Sequence, residues 1–434
     1  MNDGRPCKIV HVPRRFVAGE WGGTETVVLE VSRQQQRAGG DPLIVTSMAL
    51  ADRRREEIGG VPVRRHPYCY PFLGLSAADR AALDKKGGNL LSLGLFLGLL
   101  REPGVRLFHA HALKRLGGEV RTAARWRRKP LVVSLHGGVF DVPAAELGTM
   151  LKPIERKLEW GRPFGALFGS RRVLEDADQV ICVGRSELER ARQELTHDRV
   201  AYLPNGVDCA KFSRPDGAAF RVRHGIPPDA FLVLTLSRID AQKNQRLLLE
   251  ALVRSELADA GVRLLLIGPE TQPDYAAGLR QFILEHGLQD RVRMLPGLRN
   301  DSPDLVNAYG AADLFVLPSI HEPFGIVVLE AWSAGLPVVA SRVGGLQALI
   351  RDGETGRFFD PNAAAAADDL AALIARLATD PEGRRRLGEA GREEARTQYD
   401  WVRIHEQLEA LYRRAEEHAR WRHGGGRGGK GAAA

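Results

Sequence analysis

Short apolar runs rich in Val, Ile and Leu alternate along this chain with longer stretches whose apolar residues recur at helical spacing. In the first half the runs are CKIVHV from Cys7, PLIVTS from Pro42, VPVRR from Val61, VRLFHA from Val105, PLVVSL from Pro130 and QVICVG from Gln179. After YLPNGVD, residues 202–208, the pattern starts again with FLVLTLS from Phe231, VRLLLIG from Val262, VRML from Val292, DLFVLPS from Asp313 and PVVAS from Pro337. Strands that are apolar on both faces and alternate with helices predict parallel sheets covered on both sides. The chain therefore reads as two doubly wound α/β domains, residues 1–208 and 209–398, joined by a Gly- and Pro-containing linker near residues 205–228. A closing helix spans residues 399–420, and residues 421–434 form a Gly-rich tail expected to be disordered.

Open parallel sheets bind ligands beyond the carboxyl ends of their strands, so chemistry is sought there. The first domain offers Gly22 and Gly23, then His109 and His111, then His136, Gly137 and Gly138. The second offers Arg238, Gly268, Gly297, Glu322, Gly344 and Gly345. In SRIDAQKN, Arg238 follows a strand and Lys243 precedes a helical run, and two cations beside a helix N-terminus suit a diphosphate. WGGTETVVLE places glycines where backbone amides can approach a phosphate, although no Walker loop or full dinucleotide fingerprint is present.

Glu330 raises a separate question. The apolar residues of 326–334 occupy every side of the helical wheel around this carboxylate, which predicts a helix buried on all faces. A buried carboxylate must protonate or find donors. Two readings stay open: a structural partner such as an Arg or backbone amides, or the hydroxyls of a ribose or sugar ligand.

At 434 residues the chain is long enough for two or three domains. The apolar run LLSLGLFLGLL, residues 90–100, is too short to span a bilayer and predicts a buried helix. Four widely spaced cysteines indicate neither a zinc site nor a disulfide framework, which suits a reducing cytoplasm, and no signal peptide is read at the N-terminus. The net charge of +8 is concentrated in residues 114–129 and in the tail. That distribution fits nucleic acid, an anionic membrane surface, an anionic substrate or simply a solvated face. No nucleic-acid-binding motif accompanies it, and none is expected as a partner.

The ordered series GGTE, SLHG, LPNGVD, SRIDAQKN, HEPFGIVVLEA, SRVGGLQALI and DGETGRFF resembles the retaining glycosyltransferases of family 4. The resemblance runs from Lys8 to about Arg414, and its most specific element is the pair Glu322 and Glu330 in the E-x7-E spacing. It departs at Ser237, where Gly commonly precedes the arginine, and at the less glycine-rich turn of Gly268. The resemblance implies the GT-B fold, two facing Rossmann-like doubly wound domains with a C-terminal helix returning to the first. It implies a hexosyltransferase-class enzyme that uses a UDP-, GDP- or ADP-sugar, retains anomeric configuration and needs neither cofactor nor metal.

Residue by residue, the resemblance puts Arg238 and Lys243 on the diphosphate and Glu330 on the ribose hydroxyls. Glu322 and the amides of Phe324, Gly325 and Ile326 would hold the donor sugar, and backbone at Gly297 and Leu298 would meet the base. Gly22 and Gly23 would approach the phosphates, and His136 would face the sugar. His136, Arg238, Lys243 and Glu322 are the expected catalytic residues. The acceptor stays open between a glycan, a lipid-linked molecule and a small polar one. The segment LKPIERKLEWGRPFGALF, residues 151–168, is either a peripheral membrane contact on the cytoplasmic face or a buried helix with solvated cations. The rival functions are a nucleotide-sugar epimerase or hydrolase of the same fold and a basic scaffold without catalysis.

Overall fold

The computed structural model describes residues 8–18, 22–85, 88–137, 152–155 and 157–424. The chain divides into two compact units, one of residues 1–204 and 404–434 and one of residues 205–403.

In the first unit the described strands form one sheet in the order β3-β4-β2-β1-β5-β6-β7-β8. These are β1 (Lys8–Val12), β2 (Asp41–Ser47), β3 (Arg55–Ile58), β4 (Val61–His66), β5 (Val105–Ala110), β6 (Leu131–Leu135), β7 (Gln179–Cys182) and β8 (Val200–Tyr202). Pairing is parallel throughout except between β3 and β4, so the expectation of an all-parallel sheet is corrected at one edge. Strand β3, REEI, alternates exposed and half-buried residues, because an edge strand has no second apolar layer to face. The helix Leu93–Arg101 buries Leu95, Phe96 and Leu99 but leaves Leu93 and Leu97 exposed, so the run expected to be a buried helix is amphipathic in fact.

The second unit holds β9 (Phe231–Leu236), β10 (Val262–Ile267), β11 (Val292–Leu295), β12 (Leu314–Leu317), β13 (Val338–Ser341) and β14 (Arg357–Phe359). Its order, β11-β10-β9-β12-β13-β14, is that of the doubly wound dinucleotide-binding sheet, and every pair is parallel. The chain winds outward from β9 to β11, then crosses back to lay β12 on the other side of β9. The crevice at the carboxyl ends of β9 and β12 is therefore the topological switch point.

The stretch after Pro204 is folded onto this second unit: Val207, Phe212, Phe220 and Ile226 are buried in its core. The last helix, Trp401–Gly424, belongs to the first unit from Ile404 onward. There His418 and Arg422 both reach Asp178, at 2.7 and 3.1 Å. The helix continues through residues 421–424 of the expected tail; residues 425–434 lie outside the described residues, as do Gly138, Leu151 and Arg156. In the segment read as either a membrane contact or a buried helix, Leu158, Trp160 and Leu167 are exposed and Phe168 is buried. Among the described residues, no helix is long and apolar enough to cross a membrane.

Candidate active site

Strand β9 ends at Leu236 and delivers SRIDAQKN to the switch point of the second unit. Asp240, buried, organises this loop. Its carboxylate accepts the Lys243 amide at 3.1 Å, capping the short 3-10 turn Ala241–Lys243, and lies 3.0 Å from the Arg238 guanidinium. Thr271, on the neighbouring loop after β10, donates to the same carboxylate at 3.1 Å. Arg238 keeps 42% of its side chain exposed, so it is oriented but available. Asn244 then takes a left-handed conformation, φ 53°, that turns the chain into the helix Gln245–Leu252. Gly268 supplies close approach, since a β-carbon there would overlap the Ser237 carbonyl oxygen.

Strand β12 delivers Glu322 to the same crevice. Its Oε2 lies 2.6 Å from Lys243 Nζ, and the two side chains are only 11% and 12% exposed. Two residues expected on different parts of a ligand are thus one ion pair across the switch point. Gln242 binds the loops further: its carbonyl accepts from the Ile320 amide at 2.9 Å, and its side-chain amide donates to the His321 carbonyl at 3.1 Å.

Gly325, at φ 97°, turns the chain into the helix Ile326–Ser333. Among the described residues, the amides of Phe324, Gly325 and Ile326 donate to no protein acceptor. They stand at a helix N-terminus, where the dipole favours electron-rich ligand oxygens. The Gly344–Gly345 turn supports this loop from behind, with the Gly345 amide donating to the Glu322 carbonyl at 2.8 Å.

The helix is buried as expected, and the partner of Glu330 is a tyrosine, neither an Arg nor backbone. Tyr309, itself fully buried, donates its hydroxyl to Glu330 Oε2 at 2.6 Å. Burial raises the Glu330 pKa, against the opposing effects of the Tyr309 hydrogen bond and the Lys211 charge. Glu330 retains 9% exposure. Gly297 and Leu298 lie beyond β11, two strands away from β9, with Gly297 exposed and close to Pro269 on the adjoining loop. Asp240, Gln242 and Tyr309 were not singled out from sequence. The first had a signal, an Asp three residues ahead of Lys243 at a turn; Tyr309 had none.

In the first unit Gly22 caps the helix Gly23–Arg37 in extended conformation without a side-chain bond. The buried Glu25 stands in that first turn, 3.4 Å from Arg15; burial raises its pKa and hydrogen bonding from the Gly22 and Glu25 backbone amides opposes that rise, so the glycine turn carries a carboxylate of its own. His136 follows β6 and is half-buried. Behind it lie three buried imidazoles, His11, His109 and His111. His111 Nδ1 meets His136 Nε2 at 2.9 Å, His11 Nδ1 meets His111 Nε2 at 3.0 Å, and His11 Nε2 meets Gln35 Oε1 at 2.9 Å. His109 lies between the Tyr412 hydroxyl, 2.8 Å from Nδ1, and the Ser134 hydroxyl, 2.7 Å from Nε2. Burial lowers the pKa of all four rings, to about 4 for His11 and for His136. His11, His109 and His111 bring ring nitrogens within 4.8 Å of one another, a spacing a metal could use, but all six of those nitrogens are already hydrogen-bonded to protein.

The family model described as Glycosyltransferase Family 4 matches residues 21–211, and the one described as Glycosyl transferases group 1 matches residues 217–394. D-inositol 3-phosphate glycosyltransferase of Geodermatophilus obscurus is 32% identical over 418 residues, covering 92% of this chain and 86% of that protein. The protein of the same name from Thermomonospora curvata is 31% identical, covering 92% of each chain. Among solved structures, Anabaena Alr3699/HepE in complex with UDP and glucose matches with a TM-score of 0.68 at 20% identity, covering 93% of this chain and 98% of that one. Sucrose-phosphate synthase from Thermosynechococcus elongatus matches with a TM-score of 0.68 at 25% identity, over 94% and 98%.

Proposed function

The chain belongs to glycosyltransferase family 4 and has the GT-B fold, and on that premise we propose that it moves a sugar from a nucleoside-diphosphate sugar to a small polar acceptor with retention of anomeric configuration. The observation that carries this reading is the Lys243–Glu322 ion pair at the switch point of the second unit, beside Arg238 and the amides of residues 324–326, which have no acceptor among the described residues.

Arg238 and Lys243 neutralise the departing diphosphate, and because they are fixed by Asp240 and Glu322 they need little reorganisation as charge develops. With two cations and a helix N-terminus serving the leaving group, turnover requires no divalent metal. Glu322 and the amides of Phe324, Gly325 and Ile326 hold the sugar hydroxyls. Glu330 accepts from the ribose, and backbone at Gly297 and Leu298 meets the base. In the first unit Gly22 and Gly23 serve the phosphates and His136 a sugar hydroxyl. The acceptor oxygen bonds to the anomeric carbon on the face that the diphosphate leaves, and its proton passes to a diphosphate oxygen.

Two observations support a polyol phosphate as acceptor. The relatives named above are D-inositol 3-phosphate glycosyltransferases. In the first unit Lys114 heads the helix Lys114–Trp126 with its side chain exposed, and partial desolvation together with the neighbouring charge of Arg14 lowers its pKa. A cation at a helix N-terminus with a like charge in its neighbourhood favours an anion.

The test is incubation of the purified chain with a panel of UDP-, GDP- and ADP-sugars, with and without inositol phosphate, in EDTA. A glycoside with the donor's anomeric configuration is expected only when acceptor is present. Rapid epimer formation from donor alone, or a product of inverted configuration, defeats the reading.

A further inference from the structure

The four-histidine chain in the first unit has a defined proton order. Gln35 Nε2 lies 3.2 Å from the Tyr412 hydroxyl, so the Gln35 oxygen is the atom presented to His11. An amide oxygen only accepts, so His11 carries its proton on Nε2. Burial keeps the rings neutral, with one N–H each. His11 Nδ1 is then an acceptor and must receive Nε2–H of His111. His111 Nδ1 is an acceptor in turn and must receive Nε2–H of His136. Tyr412, accepting from Gln35, donates to His109 Nδ1, and His109 Nε2–H donates to Ser134. Every ring nitrogen of the three buried histidines is satisfied once, with no clash of protons.

The order ends at His136, whose Nδ1 has no hydrogen-bond partner among the described residues. We propose that Gln35, acting through His11 and His111, fixes His136 as the Nε2–H tautomer, so that its Nδ1 is a permanent acceptor for a substrate hydroxyl. Gln35, His11 and His111 are thus positioning residues for the transfer reaction, and this rests on the reading that His136 meets the sugar. An imidazole free to exchange tautomers would present N–H part of the time and repel the hydroxyl proton; the buried chain removes that state. Gln35 is 24 residues from His11 in sequence, and His11 is 100 from His111, so the device exists only in the folded unit.

The experiment is long-range proton–nitrogen NMR of the full chain labelled at histidine nitrogens, with His136→Ala used to assign the signal. His136 is expected to show a pyridine-like Nδ1 and a pyrrole-like Nε2. Gln35→Met removes the acceptor that sets the order: His136 should become a tautomer mixture and kcat should fall about threefold to tenfold, the worth of one neutral hydrogen bond, with nucleoside diphosphate affinity unchanged. Gln35→Glu keeps an acceptor oxygen toward His11 and should restore both signal and rate. A proton on His136 Nδ1 in the parent chain overturns the proposal even where Gln35→Met fails to fold, and so does parental kcat in a Gln35→Met chain with mixed tautomers. Parental kcat in His136→Ala would instead show that His136 meets no substrate, which removes the reading beneath the proposal while leaving the tautomer order intact.

Discussion

Replacing Glu330 by Gln separates the two roles a buried carboxylate can have. Tyr309 donates to Oε2 at 2.6 Å, and an amide oxygen in the same place can accept that bond, so Glu330→Gln preserves the internal contact. Its effect on stability has a definite sign. Burial raises the folded-state pKa of Glu330 above its unfolded value, so its contribution to stability is full below the unfolded pKa and is lost as pH rises through the folded one. At neutral pH the neutral amide escapes that loss, and the variant should melt at or above the parent. Donor affinity should move the other way. A hydrogen bond to a charged acceptor contributes about 1.5 to 3 kcal/mol, so loss of the carboxylate should raise Kd about tenfold to a hundredfold. Isothermal titration with the active nucleoside diphosphate, beside the same nucleotide lacking its 2′-hydroxyl, isolates the contact: the parent should discriminate between them and Glu330→Gln should not. Tyr309→Phe is the control, since it strands the carboxylate and should cost about 1 to 3 kcal/mol of stability. If Glu330→Gln binds both nucleotides as the parent does yet melts well below it, the carboxylate is structural and the ribose assignment is wrong.

Lys243→Ala leaves Glu322 without its ion-pair partner in a site where both are about one-tenth exposed, so it should cost about 3 kcal/mol in denaturant unfolding as well as lowering kcat more than donor affinity; unchanged stability would contradict the pairing. Gly325→Ala forces an L side chain to φ 97° with its β-carbon 2.6 Å from Leu346 Cδ2, and a loss of about 1 to 3 kcal/mol is expected, against which a parental melting temperature would count. His11 and His136 titrate near pH 4 when folded and near 6.5 when unfolded, so the unfolded chain binds more protons between those values. Stability should therefore fall as pH drops from 7 to 5, by about 2 kcal/mol for each ring; a flat profile in urea unfolding would refute this. Buried Glu119 accepts the Ser92 amide at 2.8 Å and its pKa is raised to about 8. Raising the pH from 7 to 9 should thus cost about 1.4 kcal/mol in the parent and nothing from this source in Glu119→Gln, as followed by unfolding at the two pH values.

The apolar runs of β1, β2, β5, β6, β9, β10, β12 and β13 were legible because strands buried on both faces need no partner to declare themselves. So was the burial of Glu330, which follows from the helical wheel around it, and so was the placing of Arg238, Lys243 and Glu322 at strand ends. Strands β3, β8 and β14 were not legible, the first being polar and at an edge and the others only three residues long. The order β11-β10-β9-β12-β13-β14 was not legible either, since periodicity reports which face of an element is covered and says nothing of its neighbour.

The same limit governs the chemistry. Sequence by itself determined that two sheets would present cations, carboxylates, glycines and histidines at their ligand-binding ends, because local hydrophobic pattern sets where strands stop. Only the tertiary structure decided that Lys243 pairs with Glu322, 79 residues away, that Tyr309 answers Glu330, and that Gln35 governs a chain of imidazoles drawn from three strand ends. A charge or a proton can be assigned only when its partner is known. Partners in a doubly wound sheet are chosen by crossover and register, which bring together residues that no local pattern relates.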